Sequence, residues 1–351
     1  MLDVKKTVVG ELEYCYSLAM LHYKGKDHFL CAAEQSAPCY LISLDGKTIE
    51  ETIWEGPGGA MTMVQVPGTD GQFLATRKFY SPDNSKESSL VIVTPKALNQ
   101  WEVRTLCDMP FVHRFDILQA HGKKYIIACT LKSDHQHTGD WRFPGKILVA
   151  ELPEDLSSYN DDNQLQFTPI KEGLLKNHGY CRYTDDQGNM SSIVSCDNGV
   201  FHVYPPTDTD KEWQCETLTT DAASDGLMVD LDGHGVEELC TFTPFHGNEV
   251  RIYRKENGKY ELVYTYPEKL PFLHALWGGE LCGKNTWVLG YRNGDRQLLA
   301  ITYEDGEYKA QELDRGRGAA NLLHYVYDNK DIIIAANRES SEIARYELTK
   351  A

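Results

Sequence analysis

The sequence lacks the features that would place it in a membrane, in a secretion pathway or on nucleic acid. Nowhere do 18 apolar residues follow one another, and residues 1–6 lead into no apolar core of the kind a secretion signal has. No run of basic residues occurs, and 35 Lys and Arg stand against 52 Asp and Glu, a formal net charge of −17. We therefore expect no membrane span, and neither nucleic acid nor an anionic membrane as a partner.

The ten cysteines also lack a pairing pattern. No Cys-x-x-Cys occurs, and cysteines such as Cys31, Cys129 and Cys240 lie singly inside apolar runs. Free cysteine is among the most buried residue types, so the pattern predicts small buried thiols in a reducing cytoplasm. The remaining composition, with 41% apolar, 11% aromatic and 25% charged residues, is that of a soluble globular protein and excludes disorder and collagen-like fibres.

A repeated unit of 44 to 65 residues runs through the chain. Seven short apolar runs each end on a small residue followed by a polar one, as in residues 126–132, 287–292 and 332–338. Before each run, across a turn rich in Gly, Asp, Asn or Lys, another short strand begins. The seven anchor residues at which these strands begin are Tyr16, Ala60, His113, His178, Asp225, His274 and Ala319.

A period near 45 residues without a helix signal is typical of four-stranded propeller blades. We predict an all-β protein, one seven-bladed β-propeller domain covering residues 1–351; a pair of β-sandwiches is the alternative. The last unit has only three strands before Ala351, and Thr7 to Leu12 precede the first anchor without a partner. We expect the N-terminal segment to be the outer strand of the last blade, because closure removes exposed sheet edges.

Blade geometry brings the anchors to one end of the central channel. The innermost strand begins at one face of the propeller and the second strand ends at that face. His113, His178, His274 and Asp225 are therefore expected together at the channel mouth. Three imidazoles and a carboxylate suit a divalent transition metal, Zn²⁺ or Mn²⁺, with positions open for substrate.

Other polar and aromatic residues are expected at the same mouth. The longest loop, residues 133–145, carries His135 and His137, which are a candidate second metal pair, candidate general acid/base residues, or else residues of a solvated surface. The matching loop of the fifth blade carries His246, the other candidate base. Cations at the ends of the apolar runs would donate to sugar hydroxyls or a carboxylate, and two aromatic rings would face a sugar or else pack between blades. These residues are Lys132, Arg77, Arg292, Arg338, Trp141 and Tyr291.

The turn from Asp230 to Leu239 indicates a second, structural cation. Its alternating carboxylates Asp230, Asp232 and Glu238 in a Gly-rich turn suit Ca²⁺, although His234 takes a slot that is normally a carboxylate. The turn lies between a first and a second strand, so it is expected on the opposite face. It resembles the Asp-x-Asp-Gly-x-Gly-x-x-Asp/Glu loop of VCBS and FG-GAP propeller repeats.

The whole pattern resembles one enzyme family. Seven blades, axial histidines and a long loop containing Asp140-Trp141 and Pro144-Gly145 are similar to the propeller of aldos-2-ulose dehydratases, also called anhydrofructose dehydratases. These are metal-dependent carbohydrate lyases, so the resemblance implies sugar β-elimination. It also implies a ligand set of His113, His178, Asp225 and His274, with Lys132, His135 and His137 as catalytic candidates. The chain has no counterpart of the cupin-type domains of the fungal enzymes.

Three functions fit the sequence. The first is a metal-dependent lyase that performs β-elimination on a small carbohydrate, a ketosugar or an oxidised glycoside. The second is a non-catalytic binding propeller of the VCBS or FG-GAP type, which predicts no metal in the channel. The third is an oligouronide lyase, whose anionic substrate would suit the cationic run ends. The sequence leaves the sugar, the leaving group, the metal and the oligomeric state open.

Overall fold

The computed structural model describes residues 1–35 and 37–351, and it is built almost entirely of β-strands. Strand β1 comprises Leu2–Glu11, and the strands that follow form the blades in chain order. The first four blades are blade 1 with β2 Cys15–Tyr23, β3 Lys26–Ala33, β4 Cys39–Ser43 and β5 Ile49–Trp54; blade 2 with β6 Met63–Gln65, β7 Phe73–Arg77, β8 Ser89–Ala97 and β9 Gln100–Asp108; blade 3 with β10 Val112–Ala120, β11 Lys123–Lys132, β12 Pro144–Glu151 and β13 Thr168–Leu174; and blade 4 with β14 Gly179–Thr184, β15 Met190–Cys196, β16 Gly199–Tyr204 and β17 Gln214–Thr219. The last three are blade 5 with β18 Asp225–Val229, β19 Glu238–Thr243, β20 Glu249–Glu256 and β21 Lys259–Thr265; blade 6 with β22 Leu273–Leu281, β23 Lys284–Tyr291, β24 Leu298–Glu304 and β25 Glu307–Asp314; and blade 7 with β26 Asn321–Tyr327, β27 Lys330–Asn337 and β28 Glu342–Lys350, completed by β1.

The ring closes through the N-terminal strand, as the repeat count predicts. β1 pairs antiparallel with β28, from Leu2 opposite Lys350 to Glu11 opposite Glu342. The prediction of a seven-bladed all-β propeller closed in its last blade is confirmed. The closing strand is longer than the expected Thr7–Leu12, because Leu2 and Val4 already alternate inward and pack on the core between blades 6 and 7. That residues 1–351 form one domain stays a prediction.

The hydrophobic core is divided among the blade interfaces. Seven apolar clusters each combine residues of two adjacent blades, so each sheet buries both faces against its neighbours. Between blades 5 and 6, for example, Trp287 is fully buried and stacks on Phe242 with 5.5 Å between ring centroids. This packing explains why the second strands are near-continuous apolar runs.

An eighth apolar cluster, which we call the mouth plug, lies at the end of the channel where the inner strands begin. It contains Tyr16, Met61, Phe79, Leu131 and Ala320, with Trp141 and Phe245 packed against it. The plug draws on residues from five blades, and its aromatic rings contact the histidines predicted at this mouth, as in the pairs Tyr16–His274, Phe79–His113 and Phe245–His178.

Two simpler expectations concern the cysteines and the membrane. All ten cysteines are free and seven of them are buried, which confirms the prediction of unpaired thiols.

Among the described residues, the one helical segment is a single 3₁₀ turn at Arg338–Ser340, and no helix is long and apolar enough to cross a membrane.

Candidate metal centre at the channel mouth

A recurring backbone feature aims the anchor side chains at the channel. In six blades a residue with positive φ stands two positions before the anchor; these residues are Tyr14, Gly59, Phe111, Lys176, Phe272 and Gly318. In three blades the anchor is also the extra residue of a β-bulge, namely Tyr16, His113 and His274. A bulge at the start of a strand re-aims one side chain out of the ladder, here toward the channel mouth.

The predicted register is wrong by one residue in three blades, and this feature corrects it in two of them. Met61 and Ala320, rather than Ala60 and Ala319, follow the positive-φ glycines at the spacing of the other anchors. In blade 5 the carbonyl oxygen that faces His178 belongs to Ser224, so Ser224 takes the anchor position and Asp225 is one residue further. The sequence repeat alone does not resolve such shifts, because the turns before the anchors differ in length.

Hydrogen bonds between blades fix the orientation of three imidazoles. Nδ1 of His113 lies 3.2 Å from the carbonyl oxygen of His178, and Nδ1 of His274 lies 2.7 Å from that of Ala320. Nδ1 of His178 lies 3.1 Å from Oδ2 of Asp225 and 3.3 Å from the carbonyl oxygen of Ser224. Carbonyl and carboxylate oxygens only accept, so each ring carries its proton on Nδ1 and its lone pair on Nε2.

Two of these side chains, His178 and His274, converge with His246, and we call the three residues the imidazole group. Their nearest ring nitrogens all lie within 4.8 Å of one another, and Nε2 of His178 is 3.3 Å from Nε2 of His246. Two imidazoles on one tetrahedral Zn²⁺ would hold their nitrogens about 3.3–3.4 Å apart, given Zn–N bonds of about 2.0–2.1 Å. The observed separation fits a shared metal ion, and it equally fits a hydrogen bond in which Nε2 of His246 carries the proton and Nε2 of His178 accepts it.

The protonation of the group also fits a metal. Burial lowers the pKa of His246 and of His274 well below the usual value, and the charges of neighbouring histidines and of Arg292 lower it further. Both rings are therefore neutral at pH 7, which is the form that binds a metal. The group lies under the mouth plug, and His246 packs edge-on against Phe272 with ring centroids 4.5 Å apart.

The membership of this group differs from the sequence prediction. His178 and His274 belong to it, and His246, predicted as a general base, completes it. His113 lies outside it: its ring packs 4.5 Å from that of His178 and its Nδ1 faces backbone. Asp225 stands behind His178 as its hydrogen-bond partner. The contacts of His178, Arg114 and Ser224 lower the pKa of the Asp225 carboxyl against the opposing effect of burial, so it is charged.

Tyr16 is a site residue that the sequence analysis did not single out. Its hydroxyl lies 3.1 Å from Nε2 of His274 and accepts a hydrogen bond from Nη2 of Arg114 at 3.4 Å. Burial raises the pKa of Tyr16 to about 12. The signal available in the sequence is its anchor position, which it shares with His113 and His274.

The long loop contributes less than predicted. Lys132 is fully buried, and its Nζ donates to Oδ1 of Asp83 at 2.7 Å and to the carbonyl oxygen of Asp140 at 3.2 Å, so it anchors the loop. Trp141 packs over that Nζ and against Phe245 in the mouth plug. His135 packs on Phe111, and the His137 side chain is 66% exposed. No hydrogen bond in residues 1–35 and 37–351 joins either loop histidine to the imidazole group.

The predicted sugar-binding cations and Tyr291 have other partners. Arg292 is bound to Glu339 at 2.7 Å, and Arg338 contacts both Glu34 and Glu339. Tyr291 is buried in the core between blades 5 and 6, where its hydroxyl donates to Gln297. Arg77, at the end of β7, lies on the wall of a small cavity beside Trp54 and Pro57.

The predicted calcium ligands do come together on the other face. Oxygens of Asp230, Asp232 and Glu238 lie within 4.8 Å of one another. Nη2 of Arg254, however, already contacts Oδ2 of Asp232 at 2.8 Å. Burial and the neighbouring Asp232 carboxyl raise the pKa of Glu238. A cation at this turn stays a prediction, with Arg254 as its competitor.

A cavity of about 970 Å³ opens at the far end of the channel and does not include the imidazole group. Its walls include Met20, Ile117, Gln119 and Leu323, and Arg182, which is held by the buried carboxylate of Asp116. The paired guanidinium and apolar walls make it a different environment from the channel mouth.

Comparisons with known proteins support the fold and leave the family open. No family model and no curated protein matches the chain. Among solved structures it is similar to a streptogramin B lyase, at 12% identity and a TM-score of 0.58 over 99% of this chain and 98% of that one. It is also similar to an auxiliary nutrient binding protein from Bacteroides thetaiotaomicron, at 10% identity and a TM-score of 0.58 over 100% and 78% of the two chains. The Dos1 propeller aligns at 10% identity and a TM-score of 0.56 over 94% and 76%. At such identities the likeness shows the β-propeller fold alone.

Proposed function

We propose that the protein is a metal-dependent carbon–oxygen lyase that performs β-elimination on a small carbohydrate carbonyl compound in the cytoplasm. The observation that carries this proposal is the imidazole group, with Nε2 of His178 and of His246 3.3 Å apart and Nδ1 of His178 held by the buried Asp225. That one distant neighbour is named a lyase adds only that this fold accommodates such a protein.

The donor set restricts the metal. Three imidazole nitrogens favour Zn²⁺ or Mn²⁺ over Mg²⁺ and Ca²⁺, which prefer oxygen ligands. When bound, a divalent metal would polarise the carbonyl of a ketosugar and stabilise the enolate formed next to it. Asp225 holds His178 in the tautomer that presents a lone pair, the usual task of a carboxylate behind a metal-binding histidine.

His113 and Tyr16 are suited to move the protons. In β-elimination a base removes the C–H proton next to the carbonyl, the C–H electrons form the new C=C bond, and the leaving oxygen departs with the C–O pair and a proton. Burial lowers the pKa of His113 well below its usual value and raises that of Tyr16 to about 12, so at neutral pH His113 has a lone pair on Nε2 and Tyr16 holds a proton. Because efficient proton transfer needs pKa values near neutrality, the proposal requires bound substrate to bring both values closer to pH 7. Tyr16 already contacts the imidazole group through His274.

The test is turnover on a panel of 2- and 3-ketosugars, keto-glycosides and uronides. We expect an unsaturated product that absorbs in the ultraviolet, and we expect chelators to abolish its formation. Tyr16→Phe should lower turnover by roughly 10²- to 10⁴-fold without loss of metal, because a general acid contributes about that much. Tyr40→Phe, on a half-buried tyrosine of β4, is the control. A panel without chelator-sensitive product contradicts the proposal, and turnover of oligouronides alone, without turnover of any monomeric sugar or sugar acid, would favour the oligouronide lyase.

A second function, a non-catalytic binding propeller, has one observation in its favour. Nδ1 of His113, His178 and His274 each faces a carbonyl oxygen of another blade, so these side chains also tie the blades together. Such a structural role needs no metal. It predicts that the protein, purified without a His tag, holds no transition metal.

A further inference from the structure

One buried cation at the channel mouth has no carboxylate partner. Arg114 is 9% exposed. Its Nη1 donates to the carbonyl oxygen of Met61 at 2.9 Å and its Nη2 to the hydroxyl of Tyr16 at 3.4 Å. In residues 1–35 and 37–351, no Asp or Glu oxygen comes within 4.0 Å of its nitrogens. The guanidinium of Arg114 therefore contacts only neutral oxygens, and the one buried carboxylate on which its charge acts, Asp225, lies beyond 4.0 Å.

Four other cations named on this face are neutralised by a contact, whereas Arg77, which is half-buried, also has no carboxylate within 4.0 Å in residues 1–35 and 37–351. The pairs are Arg292 with Glu339, Arg338 with Glu34, Lys132 with Asp83, and Lys176 with Asp197. A buried charge without a partner costs several kcal/mol of solvation that neutral oxygens replace only in part, and replacing it by an apolar side chain often stabilises a protein. A residue kept at such a cost is a candidate for binding a ligand of opposite charge.

The position of Arg114 connects it with the imidazole group. It directly follows His113, the bulged residue of β10, and packs 5.5 Å from the ring centroid of Tyr16. The Tyr16 hydroxyl bridges the Arg114 guanidinium to Nε2 of His274. Asp225, the charged carboxylate beside the group, is already bound to His178 and Ser224. An anion held by Arg114 would therefore lie next to the imidazole group, and no protein carboxylate is free to take its place in the described structure.

We propose that Arg114 binds a carboxylate of the substrate, so that the sugar processed at this mouth is a sugar acid rather than a neutral ketosugar. This inference rests on the proposed function and narrows its substrate class. A guanidinium offers parallel N–H donors that match the two oxygens of a carboxylate. A single unpaired arginine matches a monoanion, whereas a phosphate dianion would be left half neutralised.

The experiment measures binding of D-glucuronate and of D-glucose by calorimetry, with and without added Zn²⁺. The variants are Arg114→Met, Arg114→Lys and, as a control, Arg142→Met, which removes an exposed arginine of the same face that is paired with Asp140. We expect the wild type and Arg142→Met to bind glucuronate at least tenfold more tightly than glucose. Arg114→Met should lose this preference, and Arg114→Lys should keep part of it.

The inference would be overturned if the wild type binds the two sugars equally or binds neither. It would also be overturned if Arg114→Met keeps the preference for glucuronate. Folding of the variants is checked by thermal unfolding without ligand. The melting temperature of Arg114→Met should be no lower than that of the wild type, because the substitution removes an unpaired charge. If it fails to fold, Arg114→Lys decides, since an unchanged preference there would overturn the need for the guanidinium.

The inference and the proposed function fail separately. A protein that binds no metal but prefers glucuronate through Arg114 would contradict the proposed function and support the inference. Chelator-sensitive turnover of neutral ketosugars that is unchanged in Arg114→Met would support the proposed function and contradict the inference.

Discussion

Replacing Asp225 by Asn tests whether the imidazole group is built to bind metal. Oδ2 of Asp225 lies 3.1 Å from Nδ1 of His178 and accepts the Ser224 hydroxyl at 2.7 Å, so it fixes both the tautomer and the orientation of the ring. An asparagine keeps the shape and one acceptor but removes the charge that makes His178 a better donor. Substitution of such partners typically lowers metal affinity about 10- to 100-fold.

We expect the low end of that range for Asp225→Asn. The carbonyl oxygen and the hydroxyl of Ser224, each 3.3 Å from the same Nδ1, remain to hold the ring. A tenfold loss corresponds to about 1.4 kcal/mol of binding free energy. The assay is a competition titration of Zn²⁺ against a chromophoric chelator, with the variant and the wild type in parallel.

Glu339→Gln is the matched control for charge. It removes one negative charge from the same face, where Glu339 is bound to Arg292 and Arg338, without contacting an imidazole. If only the charge of the face matters, Zn²⁺ affinity should change by a similar factor in both variants. If Asp225 acts by orienting His178, Zn²⁺ affinity should fall in Asp225→Asn and stay unchanged in Glu339→Gln. Equal affinities of Asp225→Asn and the wild type would refute the assigned role of Asp225.

Three further predictions concern stability. Burial lowers the pKa of His202 to about 4, from 6.5 in the unfolded chain, so the folded state favours the neutral ring. The free energy of unfolding that this gives is fully present above pH 6.5 and is lost as the pH falls toward 4, by up to about 3 kcal/mol. In urea unfolding, His202→Gln should lose less stability than the wild type between pH 6.5 and 4, and an equal loss in both proteins contradicts the assignment. Lys132→Met should lower the free energy of unfolding by about 2 kcal/mol, because Asp83 and the Asp140 carbonyl lose their shared donor. The variant should also be cleaved faster within residues 133–145 in limited proteolysis, and cleavage at the wild-type rate would mean that another contact holds the loop. Trp287→Ala should destabilise the fold by about 3–5 kcal/mol in the same unfolding assay, and a cost below about 1 kcal/mol would contradict the importance of the core between blades 5 and 6.

The sequence predicts the fold well because the repeat is a physical unit. Each blade needs one apolar second strand, such as Ile332–Ala336, and a turn before it, and this pattern is visible without any contact information. Ring closure by the N-terminal strand follows from counting strands. The exact start of that strand at Leu2 was missed, because Leu2 and Val4 gain their burial from blade 6, which the local pattern does not show.

The candidate site was predicted only in part, for reasons of geometry and pairing. His178 and His274 stand at anchor positions and could be found from the repeat. His246 lies in a loop between β19 and β20, with φ of +46°, and no periodicity indicates that its ring turns back to the channel. The cations Arg292 and Arg338 were expected to face substrate because their partners Glu339 and Glu34 are remote or inconspicuous in the sequence. Arg114, adjacent to His113, could not be singled out because no sequence pattern shows that its guanidinium reaches Met61 and Tyr16 of two other blades.

The most direct test of the metal centre is elemental analysis of the full-length protein, purified without a His tag, beside the double variants His178→Ala/His246→Ala and His178→Ala/His274→Ala. Replacing His202, a buried histidine of blade 4 outside the mouth, by Gln provides the control. The account predicts one Zn²⁺ or Mn²⁺ per chain in the wild type and in the control, and none in either double variant, with little change in melting temperature of the metal-free proteins because blade packing closes the ring. A wild-type protein that takes up no transition metal, or metal that persists in both double variants, would contradict the account.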